Sequence, residues 1–302
     1  MSTIVRFSPE LSQWLIQNLE RGEAPAALVQ IMIDQRMDPL VARAIVDAFV
    51  EARRLGRPMP VDLLELEDDA PPYVYGAPIV SLSRELETSD RAVLVLMRSE
   101  QPRVAVFGNV LGAEECERLI ELARPRLQPS TVVNPTSGKD EVMAHRTSFG
   151  MFFRLEETPF IARLDRRISE LMNLPLENGE GFQVLRYPTG SETTPHFDFL
   201  QPTNDANRTS IARSGQRVST LIAYLNDVDA GGETTFPKAG LAVVPQRGNA
   251  VYFEYGNPQN QVDYASLHAG APVRSGEKWV LTKWMRQRKF VSASEAGSEG
   301  MI

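Results

Sequence analysis

Two residues with metal-ligating side chains, His196 and Asp198, stand two positions apart in the segment PHFDF. Apolar and aromatic neighbours predict a strand over residues 196–199, and side chains at i and i+2 of a strand point to the same face. A second imidazole, His268, follows much later in the chain. Two imidazoles and one carboxylate on one face, with other coordination positions open, are the ligand set of non-haem Fe(II) oxygenases. These three residues are therefore the predicted metal ligands and catalytic residues.

A lysine follows the second histidine. Lys278 stands ten residues after His268, at a distance that a hairpin could span. Such a lysine could bind the far carboxylate of a dicarboxylate co-substrate, because a buried carboxylate without a charged partner is very costly. An H-x-D pair alone recurs by chance, and the alternative is a hydrogen-bonded strand histidine beside a surface carboxylate. The prediction therefore depends on all four residues occurring together.

Several segments resemble the catalytic domain of the prolyl 4-hydroxylases. Residues 185–200 (LRYPTGSETTPHFDFL) resemble its metal-binding strand, and residues 216–237 (QRVSTLIAYLNDVDAGGETTFP) resemble the strands that follow. Residues 268–284 (HAGAPVRSGEKWVLTKW) resemble its final strands, and the RTS at 146–148 resembles a motif of its substrate loop. The resemblance extends over about residues 102–288. It implies an Fe(II)- and 2-oxoglutarate-dependent dioxygenase whose core is a double-stranded β-helix, or jelly roll.

The resemblance also implies a reaction, hydroxylation of an unactivated C–H bond. The expected target is C4 of a peptidyl proline in a separate peptide or protein, with decarboxylation of 2-oxoglutarate to succinate and CO2. Fe(II), 2-oxoglutarate, O2 and ascorbate as reductant are the expected cofactors.

The same chemistry on a free amino acid or small metabolite is the alternative, because fold does not fix function. A non-catalytic binding module is a further alternative, although it would not need the three ligands and Lys278. A nucleic-acid demethylase is disfavoured by the acidic charge.

Within the resemblance, four residues have implied contacts with 2-oxoglutarate. Lys278 would form the ion pair with its distal carboxylate, and Tyr187 would hydrogen-bond the same group. Thr234 is predicted as a third contact, although two other threonines compete for this role. Trp284 is predicted to line the pocket. The competing threonines are Thr220 and Thr235.

Three further residues are predicted on the substrate side. Arg217 matches a family arginine at the mouth of the site, Arg146 begins the RTS match, and His145 directly precedes it. Two polar stretches, residues 133–145 and 201–215, are rich in Asn, Ser, Thr and Gly. They are predicted to be mobile loops that flank an open groove if the substrate is a protein.

Composition excludes several other classes of protein. The chain has 302 residues and a formal net charge of −7, which disfavours nucleic-acid or anionic-membrane partners. Its one cysteine, Cys116, cannot form an intrachain disulfide, as expected in a reducing compartment. The sequence lacks a signal-peptide pattern and an apolar run of about 18 residues. A cytoplasmic protein without a nucleic-acid or membrane partner is therefore predicted.

The pattern along the chain predicts an α+β protein in four parts. Residues 1–57 carry apolar residues at helical spacing in three short runs, which predicts a small helical bundle. Residues 58–101 are predicted as a linker, Pro-rich and acidic at first, with lead-in strands. Residues 102–290 form the predicted dioxygenase domain, where many short strands separated by turns are typical of a jelly roll. Residues 291–302 have the composition of a flexible tail.

The predicted bundle contains no histidine or cysteine. It is too small to carry the chemistry, so we interpret it as a structural or dimer-forming appendage, and a homodimer is one of our expectations. A substrate-recruiting module is the alternative interpretation.

Overall fold

The computed structural model describes residues 2–35, 37, 39–67, 72–129, 132–133, 140–141, 148–202 and 205–292. The chain divides into two compact units, Met1–Pro72 and Tyr73–Ile302. Among the described residues, no helix has both the length and the apolar character that crossing a membrane requires.

The first unit contains three helices and a two-stranded antiparallel sheet. Its elements are β1 (Ser2–Arg6), α1 (Pro9–Glu20), α2 (Pro25–Asp34), α3 (Pro39–Leu55) and β2 (Leu63–Glu67). Each helix begins at a proline, whose fixed φ suits the first helical position. Its core is formed by one face of each helix, with Leu15, Leu19, Leu28, Met32, Ile45 and Phe49.

Strand β2 lies in the stretch that the sequence predicted as linker, and it pairs with β1 from Ser2↔Glu67 to Arg6↔Leu63. Its sequence, LLELE, alternates Leu and Glu with the period of a strand. The strand was not predicted because the surrounding sequence is acidic and rich in proline, a composition that is typical of a linker. The boundary between the two compact units, after Pro72, also falls within that stretch.

The second unit contains three α-helices and 17 strands among the described residues. The helices are α4 (Ala113–Ala123), α5 (Pro159–Leu171) and α6 (Asp205–Ser214). The strands are β3 (Glu85–Glu87), β4 (Ala92–Glu100), β5 (Arg103–Gly108), β6 (Gln128–Pro129), β7 (Val132–Val133), β8 (Asp140–Glu141), β9 (Phe149–Phe152), β10 (Gln183–Tyr187), β11 (Thr193–His196), β12 (Arg217–Tyr224), β13 (Ala230–Gly231), β14 (Thr234–Phe236), β15 (Leu241–Val243), β16 (Ala250–Glu254), β17 (His268–Gly270), β18 (Val273–Ser275) and β19 (Lys278–Arg286).

Two antiparallel sheets form the jelly roll. The large sheet has the order β3-β4-β5-β16-β12-β19-β10-β9-β6, and the small sheet has the order β11-β17-β14-β15. Apolar side chains from both sheets share one core cluster, which contains Leu185, Tyr224, Phe236, Phe253 and Val280. The sheets therefore face each other, as the predicted double-stranded β-helix requires. Two small ribbons, β13-β18 and β7-β8, complete the described strands.

The other face of the large sheet is covered by α4 and α5, whose apolar residues pack with Phe182, Val184 and Leu281. Cys116 is buried in this core. Thr158 caps α5 by accepting a hydrogen bond from the N–H of Ile161 at 3.2 Å.

Strand β19 is buried along its whole length because both faces of its sheet are covered. Side chains alternate between the faces of a strand, so Lys278 and Lys283 point to opposite faces of the sheet. Lys283 forms a buried ion pair with Asp165 of α5 at 2.8 Å on the helical side. Lys278 lines a pocket between the sheets.

Residues 201–215, predicted as a mobile loop, instead contain helix α6. Two arginines, at and just after the end of β19, bind the C-terminal part of this helix. Arg286 donates to the carbonyl of Ser210 at 3.4 Å, and Arg288 donates to the carbonyl of Ala212 at 2.8 Å. Cations at a helix C-terminus are stabilising, and these long-range contacts form a helix where the local composition predicted none.

Candidate metal and co-substrate site

The three predicted metal ligands converge at one end of the small sheet. His196 ends β11, His268 begins β17, and the two are direct cross-strand partners. Nε2 of His196 lies 3.6 Å from Oδ1 of Asp198, and Nε2 of His268 lies 3.6 Å from Oδ2. One ligand atom from each residue can be chosen so that all lie within 4.8 Å of one another. These three side chains can therefore hold one metal ion.

Asp198 reaches this position differently from the prediction. Strand β11 ends at His196, so the predicted strand over residues 196–199 is wrong beyond its first residue, and Asp198 lies in a bend. Long-range hydrogen bonds fix the bend. Thr220 donates to Oδ2 of Asp198 at 2.7 Å, and Arg217 donates to its backbone carbonyl at 3.3 Å.

Backbone carbonyls orient both imidazoles. Nδ1 of His196 lies 2.9 Å from the carbonyl oxygen of Thr194, and Nδ1 of His268 lies 3.1 Å from that of Ser266. A carbonyl can only accept, so we assign the proton to Nδ1 in each ring. In the neutral ring each Nε2, 3.6 Å from an oxygen of Asp198, then carries the lone pair that metal coordination requires.

Asp198 is almost fully buried, yet its charge is favoured. Burial raises the pKa of its carboxyl, but the opposing effects of His268, His196, Arg217 and the Thr220 hydrogen bond are larger in sum. The pKa of Asp198 therefore lies below the usual range. The two histidines lower this pKa only while their rings are protonated, so a bound metal ion would take the place of their positive charges. An anionic carboxylate beside two imidazoles that have each released one proton suits a divalent cation of intermediate softness such as Fe(II).

Lys278 lines the same pocket as the three ligands. It is 6% exposed, and its Nζ lies 5.7 Å from the ring centroids of Tyr187 and Tyr224. No described residue gives it a hydrogen bond or an ion pair. Burial lowers the pKa of Lys278 to about 8, opposed only by the charge of Glu233. A buried ammonium that lacks a carboxylate partner fits an anionic ligand such as 2-oxoglutarate.

Two hydroxyl groups in the pocket add further donors. Thr193 donates to the hydroxyl oxygen of Tyr187 at 3.2 Å, and Tyr224 donates to Oγ1 of Thr234 at 2.9 Å. Since each of these oxygens already accepts, the protons of Tyr187 and Thr234 are available for an anion. Together with Lys278, three predicted residues offer donors to one pocket.

The competing threonines have other partners. Thr220 bonds Asp198, and Thr235 lies 3.5 Å from the carbonyl of Ala269, outside the pocket lining. Trp284 lines the pocket as predicted. Its buried indole Nε1 has no hydrogen-bond partner in the described part of the chain.

Arg217, predicted at the mouth of the site, lies outside the pocket lining and contacts Asp198 from there. Its guanidinium forms two 2.7 Å hydrogen bonds to Glu180, donates to the carbonyl of Asp198, and stacks 4.2 Å from the ring centroid of Trp284. His145 and Arg146, the other residues predicted on the substrate side, lie outside the described residues.

Three polar residues of the pocket were missed from the sequence: Gln183, Thr193 and Thr282. Gln183 and Thr282 are direct partners on β10 and β19. Strand alternation provides the signal that could have found them, because residues at even spacing from Tyr187 and Lys278 face the same side.

Comparisons with known proteins agree with this geometry. Residues 182–286 match the family model of the 2OG-Fe(II) oxygenase superfamily. Prolyl 4-hydroxylase 5 of Arabidopsis thaliana is 40% identical over 212 residues, covering 64% of this chain and 71% of that protein. Prolyl 4-hydroxylase 1 of the same plant is 42% identical over 205 residues, covering 63% and 71%.

Among solved structures, a viral collagen prolyl hydroxylase from Paramecium Bursaria Chlorella virus-1, in its 2OG complex, is similar with 28% identity and a TM-score of 0.47. The match covers 60% of this chain and 94% of that chain. From the extended sequence identity to the plant proteins and the domain match, the chain belongs to the prolyl 4-hydroxylase family of 2OG-Fe(II) oxygenases and is a 2-oxoglutarate-dependent dioxygenase.

Proposed function

We propose that this enzyme hydroxylates C4 of a peptidyl proline in a separate peptide or protein. Fe(II) would be held by His196, Asp198 and His268, with 2-oxoglutarate and O2 as co-substrates and ascorbate as reductant. The observation that carries the dioxygenase chemistry of the proposal is the position of Lys278. Its buried ammonium, without an anionic partner among the described residues, lines the pocket that also contains the three ligands.

With Fe(II) and 2-oxoglutarate bound, the site would use O2 as the oxidant: 2-oxoglutarate would be decarboxylated to succinate and CO2 with uptake of one oxygen atom, and the other atom would become the substrate hydroxyl. The chain provides the ligands and holds them rigidly. Both histidines are fixed through Nδ1, and Asp198 is fixed through Thr220. Three protein ligands leave the remaining coordination positions of the metal to the co-substrates.

The chain also selects the co-substrate. Lys278 would neutralise the distal carboxylate of 2-oxoglutarate, while Tyr187 and Thr234 would each donate a hydrogen bond to it. A carboxylate in this buried pocket needs such partners, because hydrogen bonds from charged groups offset the loss of solvation.

Three observations support a proline-containing peptide as substrate. The plant relatives carry the name prolyl 4-hydroxylase, and the site opens to solvent beside His196, whose side chain is 40% exposed. Phe197 and Tyr264 stand beside the ligands in an edge-to-face pair with centroids 5.3 Å apart. Aromatic surfaces of this kind bind proline-rich segments in their extended helical form.

Mass spectrometry on a panel of proline-containing peptides and free L-proline tests the proposal. The enzyme is supplied with Fe(II), 2-oxoglutarate, ascorbate and O2, and succinate is followed in parallel. One added oxygen on a peptidyl proline is the expected result. Succinate without oxidised peptidyl proline would contradict the substrate proposal and favour a free amino acid or small metabolite.

A further inference from the structure

A short turn holds the imidazole of His268. The 3-10 turn Tyr264–Ser266 lies between Asp263 and the strand that begins at His268. The carbonyl of Ser266 accepts from Nδ1 of His268 at 3.1 Å. Ser266 in turn donates twice to the carbonyl of Asp263, from Oγ at 2.7 Å and from its amide at 3.1 Å. The direction of the His268 ring therefore depends on the position of Asp263.

The side chain of Asp263 connects this turn to a distant segment. It is 2% exposed, and both of its oxygens accept hydrogen bonds. Oδ1 accepts from the amide of Ala265 at 2.8 Å and so caps the turn, while Oδ2 accepts from the hydroxyl of Tyr75 at 2.5 Å. Tyr75 lies 188 residues earlier in the sequence.

Tyr75 belongs to a segment that we call the strap, residues 73–80, at the start of the second unit. The strap is bound to the last residue of β16 and to the chain that follows it. Val74 accepts from Asn257 at 3.1 Å and donates to Gln261 at 3.0 Å through its backbone. Two amide groups of the strap donate to one oxygen of Glu254 at 2.9 and 3.4 Å. The hydroxyl of Tyr75 is therefore held in place by the backbone contacts around it.

A second route leads from the same aspartate to another ligand. The amide of Asp263 donates to the carbonyl of Tyr255 at 2.8 Å. The hydroxyl of Tyr255 lies 2.9 Å from Oγ1 of Thr220, which donates to Asp198 at 2.7 Å. Asp263 is thus linked to two of the three predicted ligands.

We propose that Tyr75 and Asp263 are positioning residues of the metal centre, through which the strap orients His268. The inference rests on the metal site proposed above. The partner at the far nitrogen of a metal-bound histidine fixes the ring, and removing groups that orient such ligands weakens metal binding by about 10- to 100-fold. Here the carbonyl partner is itself fixed by the turn that Asp263 caps.

The test compares two tyrosines of the strap in the full chain. Tyr75→Phe removes the hydroxyl that bonds Asp263. Tyr73→Phe removes a hydroxyl two residues away, which has no hydrogen bond to any described residue, and the two rings are in contact with centroids 4.8 Å apart. Co(II) alone serves as the probe, with its dissociation constant measured by calorimetry and its ligand field by visible absorption.

We expect Tyr75→Phe to raise the Co(II) dissociation constant about tenfold and to change the Co(II) spectrum. Asp263→Asn should do the same, and Tyr73→Phe should match the wild type. At saturating Fe(II), the KM for 2-oxoglutarate should stay unchanged in Tyr75→Phe, whereas the Fe(II) concentration for half-maximal turnover should rise. A general loosening of the fold would change both quantities.

Equal Co(II) affinity in the wild type and Tyr75→Phe would overturn the inference, and so would equal weakening by both tyrosine variants. His268→Ala separates this failure from that of the metal site. If wild-type Co(II) binding survives His268→Ala, the proposed ligand set itself is wrong.

Discussion

His196 and His268 are direct partners across two antiparallel strands, with ring centroids 4.3 Å apart. Because the two histidines are paired, the metal site forms only when β11 and β17 pair in this register. A slip of one residue would turn one imidazole to the opposite face of the sheet. The hydrogen bonds from each Nδ1 to a backbone carbonyl then set the direction of each ring within that register.

Substitution of one metal ligand should abolish turnover and leave the fold intact. We expect His196→Ala to reduce succinate formation from 2-oxoglutarate to background, because two protein ligands hold Fe(II) too weakly. His196 is partly exposed, so circular dichroism and the unfolding midpoint should stay close to those of the wild type. Retained turnover in this variant would show that the metal is bound elsewhere.

The two lysines of β19 provide a matched pair. Lys278→Met should raise the KM for 2-oxoglutarate strongly and should not reduce stability, because it removes a buried charge that has no ion pair or hydrogen bond among the described residues. Lys283→Met leaves Asp165 buried without its ion pair and should cost about 3–5 kcal/mol of unfolding free energy. Steady-state kinetics and urea denaturation measure the two effects, and the assignment fails if Lys283→Met alone changes the KM.

The affinity for 2-oxoglutarate should fall at alkaline pH. Burial lowers the pKa of Lys278 to about 8 in the ligand-free protein, and the ammonium form is the one that binds a carboxylate. Below this pH the group is already protonated and contributes no pH dependence. Above it, binding requires proton uptake, so the dissociation constant should rise by up to about tenfold per pH unit.

Lys278→Arg serves as the control for this pH profile, because arginine stays protonated throughout the range. Its dissociation constant for 2-oxoglutarate, measured by calorimetry on Co(II)-loaded protein, should lack the alkaline rise. An identical rise in both proteins would assign the titration to another group.

Substitution of three threonines should affect different properties of the site. Thr234→Val should raise the KM for 2-oxoglutarate about tenfold, since a hydrogen bond to a charged group contributes about 1.5 kcal/mol. Thr235→Val should leave the KM unchanged, because its side chain lies outside the pocket lining. Thr220→Val should instead weaken Co(II) binding, since Thr220 bonds Asp198. Kinetics and calorimetry on the three variants check the assignment, which a KM effect of Thr235→Val would contradict.

Local patterns in the sequence were sufficient for the ligand types and for much of the fold. The H-x-D segment, the distant His268 and Lys278 were all predicted, and the structure brings them to one pocket. The helix Ala113–Ala123 and the cap of α5 at Thr158 also follow from local signals. Such features depend on residues only a few positions apart, so the sequence alone is enough to predict them.

Contacts between distant residues decided the rest. Helix α6 forms where a loop was predicted, because Arg286 and Arg288 bind its last carbonyls. Asp198 leaves its strand and is held by Thr220. The prediction of residues 201–215 as loop considered composition alone, and composition carries no information about such long-range partners.

The sequence by itself determined which donor atoms the site could offer. Through the alternation of side chains on a strand, it also determined which residues of β19 share a face with Lys278. Only the tertiary structure decided that His196 pairs with His268, that Thr234 rather than Thr235 lines the pocket, and that Tyr75 reaches Asp263. The physical reason is the range of the interactions. Backbone geometry sets alternation residue by residue, whereas register and hydrogen bonds between distant segments exist only once the sheets have packed.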